Sequence, residues 1–258
     1  MINTYIAGQI YAKISFETTL SQKKVIEKLS EWLSSPDYSQ IFVLNGYAGT
    51  GKTTLISALV EVLGEVGIKS VLLAPTGRAA KVLSRYSGRD AYTIHKRIYR
   101  EKTNADYESK FSLNINKEKG TVFVVDEASM LSDTTSEGQI FGSGSLLEDL
   151  IRYVQSGKEC RLILVGDNAQ LPPVGADYSP ALDESVMQSY GEVVYASMDD
   201  VVRQGSESGI LFNATMLRCM LENNIYEVPQ FDMQFPDFRA INGLDLLETL
   251  QCIAKQIC

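Results

Sequence analysis

The feature that most constrains how this chain folds is a single eight-residue stretch. Its sequence, Gly46-Tyr47-Ala48-Gly49-Thr50-Gly51-Lys52-Thr53, fits the phosphate-binding pattern G-x-x-x-x-G-K-[ST] at every fixed position. An apolar run at 41–44 precedes it, and apolar residues follow it at helical spacing, at 55, 56, 59 and 62. The sequence therefore predicts a strand, a phosphate loop and a helix in succession. A glycine-rich turn without a ligand is the alternative, and the Lys-Thr pair with its two flanks disfavours it.

The chemistry of such a loop indicates a nucleoside triphosphate with Mg²⁺. Glycines let successive backbone N–H groups face a polyphosphate, and the following helix adds its positive N-terminal end. In this pattern Lys52 reaches the β- and γ-phosphates, and the Thr53 hydroxyl binds the metal. The residues predicted to bind the nucleotide are Gly46, Ala48, Gly49, Thr50, Gly51, Lys52, Thr53 and Thr54.

Polar residues follow two other apolar strands. Asp126 and Glu127 follow residues 122–125, and Gln170 lies in the loop 166–175 after another strand. Ligands bind at the carboxyl ends of strands in open α/β sheets. We therefore predict that Asp126 holds Mg²⁺, that Glu127 deprotonates an attacking water, and that Gln170 hydrogen-bonds the γ-phosphate or that water. An acidic pair after a strand is common and 166–175 could be a proline-stiffened turn, but their place beside the phosphate loop favours catalysis.

Composition disfavours several other kinds of protein. The chain has 258 residues, of which 45% are hydrophobic and 22% charged, as in an ordinary globular protein. Four scattered cysteines and one histidine disfavour a Cys/His zinc site. No apolar run reaches the roughly 20 residues of a membrane span, and no signal peptide is evident. We therefore expect a cytoplasmic protein with reduced thiols and no membrane partner.

Charge is distributed unevenly along the chain. The whole chain carries −8, but residues 76–102 hold eight basic and two acidic residues, a local net charge of +6. A concentrated basic segment in an acidic protein can attract phosphate groups at one place on the surface. A solvated helix face is the alternative interpretation of the same charges.

Alternating strands and helices predict an α/β fold, in which helices cover both faces of a parallel sheet. The expected strands are 41–44, 70–74, 121–125, 161–165 and 193–195, and the expected helices include 20–33, 78–86, 146–154, 210–221 and 244–257. Residues 1–19 carry little signal and are expected to be a frayed N-terminal extension. Residues 101–120 interrupt the alternation, and apolar side chains at Phe111, Leu113 and Ile115 predict a small hairpin outside the sheet.

Taken together, the motifs resemble the superfamily 1 helicases of the 5′→3′ RecD/Dda type. The matching pieces occur in that family's order, within roughly residues 20–225. They are GYAGTGKTT (46–54), LLAPTGRAA (72–80), TIH (93–95), VVDEASM (124–130), GDNAQLPPVG (166–175) and VVRQ (201–204). The combination of DEASM with GDNAQLPPVG is the most specific part of the resemblance.

The resemblance implies further roles for individual residues. It implies ATP as the nucleotide and single-stranded DNA as the partner. Gln22 would read adenine, although a surface glutamine is an equally good interpretation of that position, and Arg203 would approach the γ-phosphate. The implied DNA contacts are Pro75, Thr76 and Gly77, the basic residues Arg78 and Lys81 that follow them, and Thr93 and His95 of the TIH motif.

The resemblance also implies a domain organisation. Residues 20–225 correspond to a first RecA-like motor domain of the P-loop NTPase class, with a short 1B-like insertion at about 97–120. Residues 226–258 correspond to a linker and a helix that lead to a second RecA-like domain, which is missing, within a larger repair or recombination complex. Residue 202 is valine, so no aromatic side chain precedes Arg203 to stack on adenine. Two other functions stay open at this point: a nucleotide-binding module without appreciable turnover, and a P-loop small-molecule kinase.

Overall fold

The computed structural model describes residues 2–103, 109–134, 141–200 and 208–257. The chain divides into two compact units, Met1–Val202 and Arg203–Cys258. The domain limits expected from the resemblance, at 20–225 and 226–258, stay predictions.

Eight strands form in the described residues, six in a central sheet and two in a separate hairpin. They are β1 (Ile41–Gly46), β2 (Lys69–Ala74), β3 (Ala91–Thr93), β4 (Tyr99–Thr103), β5 (Ser109–Leu113), β6 (Thr121–Val125), β7 (Arg161–Gly166) and β8 (Val193–Met198). The sheet has the order β3-β2-β6-β7-β1-β8, and all its pairs are parallel. The predicted parallel sheet is confirmed. The sequence missed β3, because three residues are too few to show a period.

Helices cover both faces of this sheet, as predicted. In chain order they are α1 (Ile2–Lys13), α2 (Leu20–Ser34), α3 (Lys52–Glu65), α4 (Gly77–Ser87), α5 (Ile94–Ile98), α6 (Leu146–Gln155) and α7 (Glu184–Gln188). Side chains alternate between the faces of a strand. Phe42 and Leu44 accordingly join the core beneath α1–α4, whereas Ile41 and Val43 join the core beneath α5–α7. Burial on both faces explains why β1 is a continuous apolar run.

The N-terminal segment is not frayed, so that expectation is wrong. It forms α1, whose Ile6 and Ile10 are buried in the same core as α2 and α3. Lys13 at its end forms ion pairs with Glu61 at 2.5 Å and Glu65 at 2.6 Å. The apolar residues of α1 are spread around the helix instead of forming one stripe, so periodicity alone did not reveal it.

The predicted hairpin is confirmed. Strands β4 and β5 pair antiparallel, with Tyr99 opposite Leu113 and Thr103 opposite Ser109. Phe111 on β5 forms a parallel bridge with Phe141, and the two rings stack with centroids 4.5 Å apart. The hairpin is therefore fastened to the segment that leads into α6.

The second unit contains α8 (Gly209–Glu222) and α9 (Leu246–Ile257), close to the predicted helices. Ser208 caps α8, since its hydroxyl accepts a hydrogen bond from the Leu211 amide at 3.3 Å. The Asp237 carboxylate accepts bonds from the Ser208 hydroxyl at 2.6 Å and the Gly209 amide at 2.7 Å. Within the ranges that the structure describes, no helix of either unit has the length and apolar character needed to cross a membrane.

Candidate functional site

The phosphate loop connects β1 to α3, as the pattern requires. Gly49 and Gly51 have φ values of 83° and 93°, in the left-handed region that glycine adopts without strain. Gly51 is also the N-cap residue of α3, and among the described residues no side chain caps this helix. The first-turn N–H groups, which have no partner within the helix, are therefore available to an anion. This donor set fits a polyphosphate.

The Lys52 ammonium lies inside this loop. Its Nζ donates hydrogen bonds to the carbonyl oxygens of Gly46 and Tyr47, the latter at 2.8 Å. The same Nζ lies 4.0 Å from Oδ2 of Asp167. Burial lowers the pKa of Lys52, while the charges of Asp167, Asp126 and Glu127 act to raise it. The predicted phosphate-binding cation therefore lies within the field of three carboxylates.

Asp126 and Glu127 directly follow β6. Burial raises the pKa of Asp126, and the hydrogen bond that its Oδ1 accepts from the Glu127 amide, followed by the Lys52 charge, only partly offsets this effect. Burial, followed by the charge of Asp126, raises the pKa of Glu127, whereas the Lys52 charge and, to a smaller extent, the Gln170 side chain act to lower it. Glu127 has φ 56° and ψ 38°, which is uncommon for a residue with a side chain. Such strained backbone is concentrated at functional sites.

Sheet order explains why these residues meet. Strands β6, β7 and β1 are consecutive neighbours, so their carboxyl ends open at one edge. The structure thus brings together Lys52, Asp126, Glu127 and Gln170, as the sequence predicted. Thr53 and Thr54 are exposed on the first turn of α3.

Two residues of this edge were missed by sequence reasoning. Asp167 is only 3% exposed, and its Oδ1 accepts a hydrogen bond from the Ala169 amide at 2.9 Å. Asn45 Oδ1 accepts one from the Asn168 amide at 3.1 Å, which ties the Gln170 loop to β1. Each is a polar residue at the end of an apolar strand, and that signal could have identified both.

The chemistry of the donors fits Mg²⁺ bound jointly with phosphate. Mg²⁺ retains several waters and is usually held by one or two carboxylates together with substrate phosphates. Asp126 and the Thr53 hydroxyl would supply such a partial set. Within the described residues there is no group of three or more His, Cys, Asp or Glu side chains that could hold a metal ion alone.

The residues predicted to contact DNA lie at the ends of β2 and β3. These strands are paired so that Ala74 is opposite Thr93, which places Pro75, Thr76 and Gly77 beside the TIH motif. Thr76 caps α4 through the Ala79 amide at 3.1 Å, and Thr93 caps α5 in the same way through the Lys96 amide. The two segments therefore form one surface at the carboxyl edge of the sheet.

The basic segment divides into exposed and paired residues. Arg78 and Lys81 are exposed on α4. Arg97 instead forms an ion pair with Glu118, which offsets its contribution to the charge of the segment. His95 packs edge-on against Phe141 at 5.1 Å, and burial lowers its pKa. The lowered pKa favours the neutral imidazole at neutral pH. His95 would therefore present an uncharged ring to DNA.

Comparison with known proteins gives the family. Residues 19–218 match the family described as the AAA domain. The chain belongs to this family. It is 30% identical over 156 residues to the ATP-dependent RecD2 DNA helicase of Deinococcus radiodurans, a match that spans 60% of this chain and 19% of the relative. It is 35% identical over 138 residues to the ATP-dependent DNA helicase dda of Enterobacteria phage T4, over 51% of this chain and 28% of the relative.

The fold of this AAA domain has a counterpart among solved structures. Unliganded Pif1 from Bacteroides sp matches 83% of this chain and 47% of its own, with a TM-score of 0.51 and 16% sequence identity. The predicted RecA-like P-loop fold is confirmed, and so is the predicted resemblance to superfamily 1 helicases of the RecD/Dda type. The chain spans less than a third of the two curated relatives.

A cavity of about 380 Å³ in the AAA domain lies between the TIH motif, the segment that follows Glu127 and the loop that contains Gln170. His95 lines it from the predicted DNA side, Met130 from the segment after Glu127, and Pro173 and Val174 from the Gln170 loop. Of the residues predicted to contact DNA or nucleotide, His95 is the one that lines this cavity. Arg203 and the rest of the VVRQ motif lie outside the described residues, so the role given to Arg203 stays a prediction.

Proposed function

We propose that this AAA domain is the first motor domain of a DNA helicase, which hydrolyses ATP with Mg²⁺ to move along single-stranded DNA. The observation that carries the proposal is the grouping of Lys52, Asp126, Glu127 and Gln170 at adjacent strand ends. The names of the RecD2 and dda relatives support helicase chemistry. A role in repair or recombination, a larger complex for that role and a cytoplasmic location stay predictions.

In this mechanism the protein binds the triphosphate and moves one proton. The loop N–H groups and Lys52 hold the phosphates, and Mg²⁺, when held by Thr53 and Asp126, neutralises charge on their oxygens. Glu127 accepts a proton from the attacking water, and its raised pKa makes it a better base than an exposed glutamate. Gln170, hydrogen-bonded to Glu127, orients that carboxylate. Arg203 would offset the charge that develops during transfer.

The DNA-binding part of the proposal rests on the surface at the ends of β2 and β3. The Pro75–Gly77 turn and Thr93 offer backbone and hydroxyl groups, while Arg78 and Lys81 offer exposed charge for phosphates. His95 shares a cavity with Met130 and Pro173, which follow the predicted catalytic residues Glu127 and Gln170 in the chain, and we propose that nucleotide and DNA influence each other across it.

The two alternative functions differ from a helicase in the rate at which ATP is hydrolysed or in the molecule that accepts the phosphoryl group. A nucleotide-binding module with little turnover suits the chain by itself, since an arginine supplied by a second domain can contribute roughly 10³–10⁵ in rate. A small-molecule kinase is disfavoured by Glu127, which adjoins the predicted metal ligand Asp126, and by the Gln170 loop, since both suit transfer to water.

Hydrolysis and binding are measured separately to test this function. We expect Lys52→Ala to weaken ATP binding. We expect Glu127→Gln to bind ATP but to hydrolyse it more slowly than the wild type. Glu184→Gln, an exposed carboxylate on α7, is the matched control and should change neither. Hydrolysis by Glu127→Gln at the wild-type rate would refute the assigned chemistry.

Salt dependence tests the DNA surface. For single strands the slope of log K against log salt changes by about 0.7 for each phosphate contact. Arg78→Ala and Lys81→Ala should each reduce the slope by about that amount. Lys158 precedes β7 and so lies at the amino-terminal edge of the sheet, away from this surface. Lys158→Ala should therefore leave the slope unchanged. Equal slopes for all three variants and the wild type would show that the basic segment is a solvated face.

A further inference from the structure

The end of the edge strand β8 is hydrogen-bonded to the first turn of α2. Asp200 follows β8 by two residues, and its Oδ2 accepts a hydrogen bond from the Ser21 amide at 3.0 Å. The Asp200 amide in turn donates to the Ser21 hydroxyl at 3.4 Å. The first-turn amides of a helix have no partner within it, and its positive N-terminal end favours a carboxylate. Asp200 therefore binds α2 at the point where the helix most readily accepts an anionic side chain.

Strand β8 also contacts α2 at a second point and the phosphate loop at a third. Lys28, roughly two turns further along α2, donates from its Nζ to the Tyr195 carbonyl of β8 at 2.9 Å. Met198, the last residue of β8, lies so close to the loop that a Cβ added to Gly46 would be 3.0 Å from the Met198 Cβ. The bond between Asp200 and Ser21 thus fixes the first turn of α2 relative to a strand that packs on the phosphate loop.

That first turn carries Gln22, the residue to which the family resemblance gives adenine. Gln22 is only 3% exposed, so it is not a surface glutamine. Its Oε1 accepts from the Thr19 amide at 3.0 Å, and its Nε2 donates to the Thr50 carbonyl at 2.9 Å. A glutamine amide has two N–H donors and an oxygen with two lone pairs, so one donor and one acceptor remain after these two bonds.

A neighbouring donor and acceptor distinguish adenine from guanine. Glutamine can donate to N7 of adenine and accept from its N6 amino group, whereas guanine presents two acceptors on the same edge. Such a pair of bonds requires the amide to be held in place, and Gln22 is the residue directly after Ser21. Base recognition by Gln22 therefore depends on where the first turn of α2 is held.

We propose that Asp200 is a positioning residue for adenine recognition, which holds the first turn of α2 so that Gln22 can bond the base. The proposal rests on the proposed function, namely that the phosphate loop binds ATP, and on the adenine role of Gln22. Asp200 acts through Gln22, so its loss affects a ligand that contains adenine. The bond from Gln22 to Thr50 does not involve Asp200, so a ligand that has phosphates but no base is unaffected.

The test is equilibrium binding of ATP, GTP and inorganic tripolyphosphate to the complete chain by isothermal titration calorimetry. We expect Asp200→Ala to weaken ATP about fivefold and to leave GTP and tripolyphosphate unchanged. Asp200→Asn keeps an oxygen that can accept from the Ser21 amide, so it should restore most of the ATP affinity. Asp199→Ala is the matched control, because this exposed neighbour accepts from the Ser197 hydroxyl at 2.9 Å and should change none of the three affinities.

A double variant separates positioning from a general structural effect. Gln22→Ala removes the amide through which Asp200 acts. Adding Asp200→Ala to it should therefore cause no further loss of ATP affinity relative to tripolyphosphate. A further fivefold loss in the double variant would overturn the proposal, and so would a uniform loss of all three ligands or unchanged affinities in Asp200→Ala.

The remaining outcomes separate this proposal from the proposed function. If the wild type binds ATP and GTP equally, Gln22 does not read the base and the role of Asp200 is refuted. If the wild type binds none of the three ligands, the nucleotide site itself is refuted. Ser21→Pro takes the place of Asp200→Ala if that variant does not fold: it removes the same hydrogen bond from the helix side, proline is tolerated in a first helical turn, and the same selective loss is expected.

Discussion

A buried hydrogen bond outside the nucleotide site provides the sharpest stability prediction. Tyr99, at the start of the hairpin, donates from its hydroxyl to Asp149 Oδ2 at 2.7 Å. Both residues are buried, with 7% and 2% exposure, and the Ser143 amide donates to the same carboxylate oxygen at 2.9 Å. We predict that Tyr99→Phe destabilises the first unit, because the carboxylate loses a donor that water cannot replace.

The size of the effect follows from the charge of the acceptor. Hydrogen bonds to charged groups contribute about 1.5–3 kcal/mol to the free energy of unfolding. In a unit of this size each kcal/mol lowers the melting temperature by roughly 2–4 °C, so the expected fall is roughly 3–12 °C. Asp149→Ala, which removes the acceptor, and the double variant complete a double-mutant cycle, in which the coupling energy should also be about 1.5–3 kcal/mol.

The chain contains a suitable probe for this measurement. Trp32 is its one tryptophan and is 2% exposed in the core of the first unit, so its fluorescence during urea unfolding reports on that unit. Tyr86→Phe, which removes a hydroxyl from a ring that is 64% exposed, is the control and should change stability by less than about 0.5 kcal/mol. A Tyr99–Asp149 coupling energy below about 0.5 kcal/mol would refute the reasoning.

Three further predictions concern the active-site carboxylates and one glycine. Burial raises the folded-state pKa of Asp126 above its unfolded value, so the fold loses stability as the pH rises through that pKa. Asp126→Asn should therefore melt higher than the wild type at pH 7, with a gap that shrinks towards acid pH; a lower melting temperature at pH 7 would contradict this. Because the pKa of Glu127 is raised, kcat/KM for ATP should fall on acidification at a pH above the ordinary value of 4.5, whereas an acid limb at or below that value would argue against Glu127 as the base. Gly142→Ala should cost roughly 2–5 kcal/mol of unfolding free energy in urea, because Gly142 has φ +49° and its added Cβ would lie 1.8 Å from Asp149 Oδ2. Gly120→Ala, with φ +56° and nothing within 4 Å, should show only the backbone part, about 1–2 kcal/mol, and equal losses at the two glycines would contradict the clash.

The parts of the fold that could be predicted are those that depend on local sequence patterns. The phosphate loop has fixed glycine and lysine positions, and a parallel strand such as β1 is a short apolar run. Asp126, Glu127 and Gln170 were predictable because each follows such a run, and sheet topology brings strand ends together. The sequence therefore predicted most of the polar residues at the carboxyl edge of the sheet, where the nucleotide is expected to bind.

What the sequence did not predict depends on contacts between distant segments. Helix α1 has no clear stripe, and its place in the core depends on α2 and α3. The pairing of Arg97 with Glu118 removes a charge from the basic segment, and only the folded chain brings these residues together. Likewise, no local pattern shows that the Gln22 amide reaches Thr50.

The fastening of the hairpin has a mechanical consequence. In chain order, β4 and β5 lie between the sheet strands β3 and β6, but they are not part of the sheet. Phe111 on β5 is bridged to Phe141, and Tyr99 on β4 is hydrogen-bonded to Asp149 on α6. The hairpin strands are therefore held at two points, through Phe111 to Phe141 and through Tyr99 to α6, in addition to their covalent connection to α5. A force on β4 and β5 would be borne by α5 and α6 together, so the two contacts should resist displacement of the hairpin more than its covalent connections alone would.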